Sequence, residues 1–479
     1  MKENKRFKSK GKQIGKAGMV LALSAMLLNT AVPALAAAST STSTKAPTTN
    51  HSAGLAQTMK KQAHPLWSLT SEDFTDLQFL KKPLANKTVV SLGENFHRVK
   101  EYSQVKIRLI KFLHEQMGYD VIAFESGMME AAAANEYADQ LTPEEMMGGS
   151  ILGVWHSEET LELFKYMKEQ AKTDHPLILA GYDMQFTSYL STLFIGKWMA
   201  KVNPATGEAF QKMDMEAISA TYAAFGNDLE EKVSPEKRKA LQKVEATYAP
   251  KYRASIDFLK KHKKELLKGH PSEAKLLDMA VKSLEDRIAF MRMMQRDIVE
   301  TYEYRDRLMA EHVEWLSREM YPGKKMILWA HNDHLANNTS KMKRVVNGKW
   351  INSFKSMGEI LHQKLKDKMY VVGLYMNQGS TVTLSTNQPF QIRKMPAGSL
   401  EHRVMQSGYK QSFIDLTSFS KRTAETAWMW QPVYAAEDGL TAELIRQMSM
   451  KFVPKEQYDG LLVIDQVHAP TPLPAVQGE

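Results

Sequence analysis

Residues 88–97 read TVVSLGENFH, a short apolar run that ends at Gly93 and is followed at once by a carboxylate and an imidazole. The apolar run is typical of a buried β-strand, and glycine lets the backbone turn sharply where the strand ends. Glu94 and His97 therefore emerge just beyond the carboxyl end of the predicted strand. In an open α/β sheet, ligands bind at this end of the strands.

Three further apolar runs end in the same way, each immediately before an ionisable side chain. They are residues 120–124 before Glu125, residues 176–182 before Asp183, and residues 325–330 before His331, with His334 three positions further on. If the strands are parallel, their carboxyl ends lie along one edge of the sheet. The sequence therefore predicts that these side chains converge with Glu94 and His97 in one crevice.

Helical patterns separate the apolar runs. Over residues 99–117, apolar side chains recur at a helical spacing, and Gly118 follows at the expected helix end. Strand, helix and strand in this order form a βαβ unit, which implies a parallel sheet. Runs at 370–374, 381–384 and 460–464 predict additional strands. We therefore expect an α/β fold with a mostly parallel central sheet flanked by helices.

The strand pattern stops between the third and fourth runs. Residues 189–320 are rich in Lys, Glu, Ala, Leu and Met, and they contain no period-two alternation. Prolines recur in this segment at spacings that would start or end helices. We predict a large helical insertion at about residues 189–320.

The first 36 residues have the parts of a secretory signal peptide: a basic segment, an apolar segment, and the small residues Ala34-Leu35-Ala36. We predict a signal peptide over residues 1–36, a disordered Ser/Thr-rich tether over 37–62, and one folded domain over 63–479. An uncleaved membrane anchor is the alternative. No later stretch approaches about 18 uninterrupted apolar residues, so we expect a secreted protein with no membrane association after cleavage.

Charge and composition exclude several classes of protein. The formal charge of +9 falls to +3 without residues 1–36, which carry seven basic residues and one acidic residue. A nucleic-acid partner is not expected, because phosphate binding needs a concentrated basic face. Without cysteine there is no thiolate nucleophile. No G-x-S-x-G, P-loop or G-x-G-x-x-G pattern occurs, so neither a serine elbow nor a nucleotide cofactor is predicted.

The remaining candidates point to acid–base chemistry. A histidine such as His97 can take a proton from water near neutral pH, and a carboxylate such as Glu94 can fix its tautomer. Arg108 lies eleven residues beyond His97, about three helical turns along the predicted helix. It could pair with Glu125 beneath the site or reach a substrate.

Six motifs follow one another along the chain: Gly93-Glu94-x-x-His97-x-x-x-Glu101, Arg108, Ala123-Phe124-Glu125, Gly181-Tyr182-Asp183, Arg305-Asp306-x-x-Met309-Ala310 and Trp329-Ala330-His331-Asn332-x-His334. In order and spacing they together resemble the erythromycin esterase family. The resemblance spans about residues 63–470. It implies that the helical insertion covers the cleft. It also implies hydrolysis in which His97 activates water, with no covalent intermediate and no required metal or other cofactor.

The resemblance also implies which residues form the site. The positions that match catalytic residues are Glu94, His97, Glu125 and His331, and those that match supporting residues are His334, Arg108 and Arg305. Asp183 either supports the site or caps the next helix. The family commonly has Thr-His-Gly where this chain has Phe96-His97-Arg98, so the ring of Phe96 is expected to contact the substrate. The expected partner is a small-molecule ester, either a macrolide lactone or another bulky ester.

Two other functions remain open at this point. The same histidines and carboxylates could hold Zn²⁺ or Mn²⁺ in a metal-dependent hydrolase. Alternatively, the cleft could belong to a non-catalytic binding protein in which Phe96 and Arg98 grip a ligand. The sequence gives no indication of the oligomeric state.

Overall fold

The computed structural model describes residues 49–226, 232–346, 348–438, 440 and 444–474. The predicted signal peptide and the first part of the predicted tether lie outside these residues. Within the described ranges, none of the helices is both long enough and apolar enough to span a bilayer.

Thirteen strands occur in the described part of the chain. They are β1 (His64–Pro65), β2 (Val89–Leu92), β3 (Tyr119–Gly127), β4 (Ile178–Asp183), β5 (Lys325–Trp329), β6 (Lys343–Val346), β7 (Lys349–Asn352), β8 (Met369–Val382), β9 (Pro389–Ile392), β10 (Gln411–Asp415), β11 (Val433–Glu437), β12 (Arg446–Phe452) and β13 (Gly460–Val467).

The central sheet has the order β1-β10-β13-β8-β2-β5-β3-β4, with β9 paired to β8. Six neighbouring strands, from β13 to β4, are parallel, whereas β1, β9 and β10 pair antiparallel. The prediction of an α/β fold with a mostly parallel sheet is confirmed. Strand β2 lies near the middle, where Leu92 is in register with Trp329 on one side and Val372 on the other. The Glu94–His97 turn therefore leaves the sheet from its centre.

The strands that the sequence predicts are present, with one difference. Residues 381–384 were expected to form a separate strand, but β8 continues without a break from Met369 to Val382. Polar residues in the second half of β8 concealed this continuity, because one face of a strand need not be apolar at the end of a sheet.

Sixteen helices flank the sheet or lie beyond it. They are α1 (Thr49–Gln62), α2 (Lys81–Leu84), α3 (Lys100–Met117), α4 (Met128–Glu136), α5 (Pro143–Ser150), α6 (Glu158–Gln170), α7 (Leu190–Val202), α8 (Pro204–Phe225), α9 (Pro235–Lys261), α10 (Lys263–Leu266), α11 (Ala274–Met293), α12 (Ile298–Trp315), α13 (Asn332–Leu335), α14 (Met357–Leu365), α15 (Leu400–Met405) and α16 (Pro454–Gln457). The count covers only the described ranges.

Helix α3 connects β2 to β3 and carries several residues that matter for the site. It ends at Gly118, whose positive φ of 68° lets its amide bond to the carbonyl of Leu113. The strand β3 follows at once, so the short connection places the two parallel strands on the same sheet with their carboxyl ends at the same edge.

Helices α7 to α12 occupy the segment between β4 and β5. They are followed by a short π-helical turn, Leu316–Met320, before β5 begins. Part of this insertion has its own apolar cluster, which includes Phe225, Phe290, Met293 and Met294. The last helix, α12, runs against β4 and carries Arg305 towards the carboxyl edge of the sheet.

A second, four-stranded antiparallel sheet has the order β11-β12-β6-β7. Sequence patterns did not predict it, because its strands are short and only partly buried. Its first strand, β11, ends at Glu437 close to the central sheet. This sheet therefore contributes to the site described below.

The predicted tether requires a correction at its C-terminal part. Residues 49–62 form α1, in which Met59 is fully buried. The Gln62 side chain accepts a hydrogen bond from Trp428 and donates one to the carbonyl of Glu425. The Ser/Thr repeat ends before this segment, and the Ala, Lys, Gln and Met residues that follow are good helix formers.

Candidate active site

The carboxyl edge of the sheet brings together most of the residues that the strand ends predicted. The rings of His97 and His331 are neighbours in an edge-to-face arrangement, with centroids 5.2 Å apart and an interplanar angle of 64°. The backbone amide of His331 donates to Glu125 Oε2 at 3.2 Å, and Arg305 Nη2 bonds to both Glu125 and Asp183 at 2.6 Å. Residues more than two hundred positions apart thus share one crevice.

Gly93 is required where β2 leaves the sheet. A Cβ at this position would lie 2.1 Å from Asn332 Oδ1 and 3.0 Å from the carbonyl oxygen of Val372. The Asn332 side-chain amide passes close to Gly93 because it donates a hydrogen bond to the backbone carbonyl of Leu374 at 3.1 Å. The close approach of these two segments sets the position of the residues that follow Gly93.

Glu94 and His97 form a hydrogen-bonded pair. His97 Nδ1 donates to Glu94 Oε1 at 2.8 Å, and the same oxygen accepts from Trp155 Nε1 at 2.6 Å. Glu94 Oε2 accepts from Lys106 Nζ at 2.6 Å. With three donors, the buried carboxylate is held in one orientation, and it fixes the orientation of the imidazole in turn.

The second ring nitrogen of His97 is the base-competent atom. Because Nδ1 carries the hydrogen that bonds Glu94, the lone pair lies on Nε2. Within the described ranges no protein group forms a hydrogen bond with this Nε2, and the His97 side chain is 17% exposed. Burial lowers the pKa of His97 even though Glu94 opposes the shift. The imidazole is therefore neutral at physiological pH.

Lys106 is a site residue that the sequence did not reveal. It is fully buried, lies over the Trp329 ring at 4.5 Å, and forms an ion pair with Glu94. Burial lowers its pKa to about 8. Although burial alone would raise the pKa of Glu94, the charge of Lys106 and the hydrogen bond from His97 lower it. A lysine in a helical pattern usually faces solvent, so nothing in the sequence distinguished this one.

Glu125 and Asp183 belong to a second, fully paired cluster around Arg305. The guanidinium Nη1 also lies 3.2 Å from His334 Nε2. His334 Nδ1 in turn lies 2.9 Å from Asp306. Burial opposes ionisation of Glu125, but the positive charges of His334 and Arg305 lower its pKa. Glu125 is therefore an ionised acceptor, and this environment does not suit a proton donor.

His331 has the opposite tautomer to His97. The backbone amide of Asp333 donates to His331 Nδ1 at 3.2 Å, which makes His331 the N-cap of α13. Because Nδ1 accepts, the hydrogen of the neutral ring is on Nε2. His97 thus presents a lone pair and His331 presents an N–H group from neighbouring rings. Such an arrangement can accept a proton from one side of a substrate and donate a hydrogen bond from the other.

The last residue of β11 and the residue that follows it supply two further carboxyl groups. Glu437 Oε1 and Asp438 Oδ1 lie 3.2 and 3.5 Å from His331 Nε2. Asn95, which lies between Glu94 and Phe96, holds this end of β11 by donating to the carbonyl of Ala436 at 2.9 Å. Sequence reasoning missed both acids, because they follow a strand of the second sheet instead of an apolar run of the central sheet.

Two of the predicted supporting residues are placed elsewhere. Phe96 is fully buried and packs edge-on against Phe390 at 5.8 Å, so it does not line the cleft. Arg108 forms an ion pair with Asp76 at 2.5 Å and donates to the carbonyls of Ser68 and Ser71. The prediction that it pairs with Glu125 or reaches substrate is wrong.

The helical geometry of α3 explains the error for Arg108. Two residues correspond to about 200° around a helix, so Arg108 points away from the side on which Lys106 meets Glu94. Arg108 therefore anchors the segment before β2, and Lys106 occupies the position beneath the site.

Glu94, His97, Glu125 and His331 are the candidate metal ligands that the sequence offers. The carboxylates of this set already accept hydrogen bonds from Lys106, Trp155 and Arg305. Among the residues that the structure describes, one group of three potential ligands occurs, His331, Glu437 and Asp438. The tautomer of His331 places a hydrogen on the nitrogen that faces this group, so that nitrogen is a donor and not a free ligand.

Together, the fold and the site define an α/β protein with an acid–base centre at the carboxyl edge of a parallel sheet. Comparison with known proteins agrees with this class. The family model described as erythromycin esterase matches residues 114–467, and the chain belongs to the erythromycin esterase family.

Two named proteins are similar to this chain in sequence. The chain is 33% identical over 433 residues to "Putative hydrolase YbfO" of Bacillus subtilis (strain 168), covering 85% of this chain and 90% of that protein. It is 23% identical over 372 residues to "Erythromycin esterase type II" of Escherichia coli, covering 72% of this chain and 84% of the relative. The family and these names indicate a hydrolase.

Solved structures share the fold. A succinoglycan biosynthesis protein matches with a TM-score of 0.67 at 18% identity, covering 89% of this chain and all of that one. A mutant of the erythromycin esterase EreC in its open conformation matches with a TM-score of 0.55 at 16% identity, covering 84% of this chain and 96% of the other. At these identities the likeness concerns the fold alone.

Proposed function

We propose that this protein hydrolyses carboxylic esters by direct attack of water, with His97 as the general base. The observation that carries the proposal is the Glu94–His97 pair. Its 2.8 Å hydrogen bond leaves Nε2 as the available acceptor on a side chain that remains partly exposed in an otherwise buried site. A general base needs a neutral ring, a fixed tautomer and access to water, and His97 combines all three.

The reaction then proceeds through a tetrahedral intermediate. His97 Nε2 takes a proton from water while the water oxygen bonds to the carbonyl carbon of the ester. The carbonyl oxygen becomes an oxyanion, and the Nε2–H group of His331 lies on the facing side to donate a hydrogen bond to it. Collapse of the intermediate breaks the bond to the alcohol oxygen, which must then receive a proton.

Other residues of the site act on the orientation of these two imidazoles. Glu94, Lys106 and Trp155 hold His97, and Glu125 holds the backbone of His331 through the 3.2 Å hydrogen bond to its amide. The Arg305 cluster keeps Glu125 ionised. Such preorganisation lowers the cost of aligning the base and the donor during the reaction.

The proposed substrate is a bulky ester that the secreted protein meets outside the cell. Macrolide lactones are the first compounds to examine. Family membership and the relative named as an erythromycin esterase support this choice. The basic, apolar and small-residue segments at the N-terminus support secretion. The competing proposal is a metal-dependent hydrolysis. It would be excluded if metal analysis finds no bound metal in a protein sample that is fully active.

A substrate panel tests the proposal. We expect the purified protein to convert at least one member of a set of macrolides and simple alkyl and aryl esters, with mass spectrometry showing the addition of one water molecule. The His97→Asn variant is the control for contaminating esterases. If the protein binds a compound of this panel but hydrolyses none of the compounds, the result would instead support a non-catalytic binding protein.

The pH dependence should report the lowered pKa of His97. Burial lowers this pKa from its usual 6.5, and the base is active only when neutral. We therefore expect kcat/KM to stay constant from neutral pH downward and to fall only below pH 6.5. Since Glu94 raises the pKa of His97, Glu94→Gln should move this acid limb to still lower pH while reducing the maximal rate. An acid limb centred above pH 7 would contradict the assignment.

A further inference from the structure

We propose that Asp438 is the general acid that protonates the leaving alcohol. The proposal rests on the ester hydrolysis described above and adds a residue that neither the strand-end pattern nor the family motifs indicate. Asp438 Oδ1 lies 3.5 Å from His331 Nε2, the group that faces the developing oxyanion. An acid at this distance is beside the bond that breaks.

The surroundings of Asp438 favour the protonated carboxylic acid. Glu437 is its neighbour, is 1% exposed, and has no hydrogen-bond partner for either of its side-chain oxygens within the described part of the chain. One carboxyl oxygen of Glu437, one of Asp438 and a ring nitrogen of His331 all lie within 4.8 Å of one another. Two buried carboxyl groups this close cannot both ionise without a large electrostatic penalty.

Positive charge near the two acids is already committed. Arg344 pairs with Asp333 at 2.6 Å, and in the described ranges the only ion-pair contact of Glu437 and of Asp438 is with His331. Burial opposes a positive charge on His331, although the charges of Asp438 and Asp333 raise its pKa. The Asp333 amide already donates to His331 Nδ1, which disfavours a second proton on that ring. Burial also raises the pKa of both Glu437 and Asp438, so we place protons on the carboxyl groups.

Asp438 is better placed than Glu437 to use that proton. Its side chain is 8% exposed, against 1% for Glu437. Burial raises the pKa of Asp438 to about 8 despite the opposing effect of His331, and Glu437 and Asp333 add to the increase. Asp438 thus holds its proton at neutral pH while remaining able to release it when a strongly basic alkoxide forms beside it.

The proton balance of the step is complete. The O–H bond of the Asp438 carboxyl breaks as the alkoxide oxygen takes the proton and leaves as the alcohol. The resulting carboxylate is stabilised by the adjacent Nε2–H group of His331. The proton that His97 took from water returns through solvent to Asp438, so the net reaction is ester plus water to acid plus alcohol.

The test uses two esters with the same acyl group, an alkyl ester with a poor leaving group and a 4-nitrophenyl ester whose leaving group needs no protonation. For Asp438→Asn we expect kcat/KM on the alkyl ester to fall by about 10²–10³-fold and on the nitrophenyl ester by less than about 3-fold. Asp438→Glu should recover part of the lost rate, and Asp278→Asn, an exposed position on α11, should leave both rates unchanged.

The leaving-group dependence separates the two proposals. Equal losses on both esters would mean that Asp438 is only structural, and no loss on either would remove it from the reaction, while water activation by His97 would stand in both cases. Absence of wild-type turnover on both esters would overturn both proposals.

A measurement on the wild-type protein keeps the inference testable if Asp438→Asn does not fold. An acid must be protonated to act, so hydrolysis of the alkyl ester should decline as pH rises through about 8, while hydrolysis of the nitrophenyl ester should not. A decline shared by both esters, or absent from both, would contradict the role of Asp438.

Discussion

His97→Asn is expected to reduce kcat for ester hydrolysis by about 10²–10⁴-fold, the contribution usual for a positioned general base. The asparagine amide can still hydrogen-bond Glu94, but it has no nitrogen lone pair that can take a proton from water. The His97 side chain is 17% exposed, and among the residues that the structure describes only Glu94 hydrogen-bonds it, so the fold should tolerate the change. Single-turnover kinetics with thermal unfolding of the same samples measure both properties.

His270→Asn is the matched control for His97→Asn. The His270 side chain is 60% exposed and lies 3.5 Å from Glu273 on the surface of the insertion. We expect it to retain wild-type turnover and stability. Turnover by His97→Asn within a few-fold of wild type would remove His97 as the base, and a large loss of stability would make the kinetic result uninformative about chemistry.

Arg305→Met is expected to lower the free energy of unfolding by about 3–5 kcal/mol, because it leaves buried carboxylates without their cationic partner. Arg305 bonds to both Glu125 and Asp183 at 2.6 Å, and both acids are buried. The methionine replaces the volume of the side-chain stem but none of the five donors. Denaturant unfolding followed by circular dichroism gives the change in free energy.

The same helix offers a matched control for Arg305→Met. Arg307 is two residues further on, 50% exposed, and paired with Glu311 one turn away. Arg307→Met should change the stability by no more than about 0.5 kcal/mol, as is usual for exposed positions. Adding Asp183→Asn to Arg305→Met should recover part of the loss. Equal effects of the two arginine variants would contradict the buried network.

The strand ends identified the centre of the site because of a general property of parallel sheets. Each apolar run that stops at an ionisable residue places that residue on one edge, so Glu94, His97, Glu125 and His331 could be grouped before their distances were known. The prediction depended only on local periodicity and on strand direction.

Two kinds of error came from side chains whose direction local patterns do not specify. Phe96 follows Glu94 by two residues, yet its ring points into the core. Arg108 and Lys106 lie on the same helix, and only the packing of that helix decides which one reaches Glu94. The burial of Lys106 was unexpected because its side chain is charged. A buried lysine charge is stable only with a carboxylate partner.

The amino-acid sequence by itself determined the layered α/β architecture, the edge at which the chemistry lies, and the Glu94–His97 pair, because these follow from periodicity and from spacing within one turn. Tertiary structure alone decided the tautomers of the two neighbouring imidazoles and the arrival of Glu437 and Asp438 from the second sheet. Both depend on contacts between segments far apart in the chain, and hydrogen-bond partners at such separations leave no local pattern in the sequence.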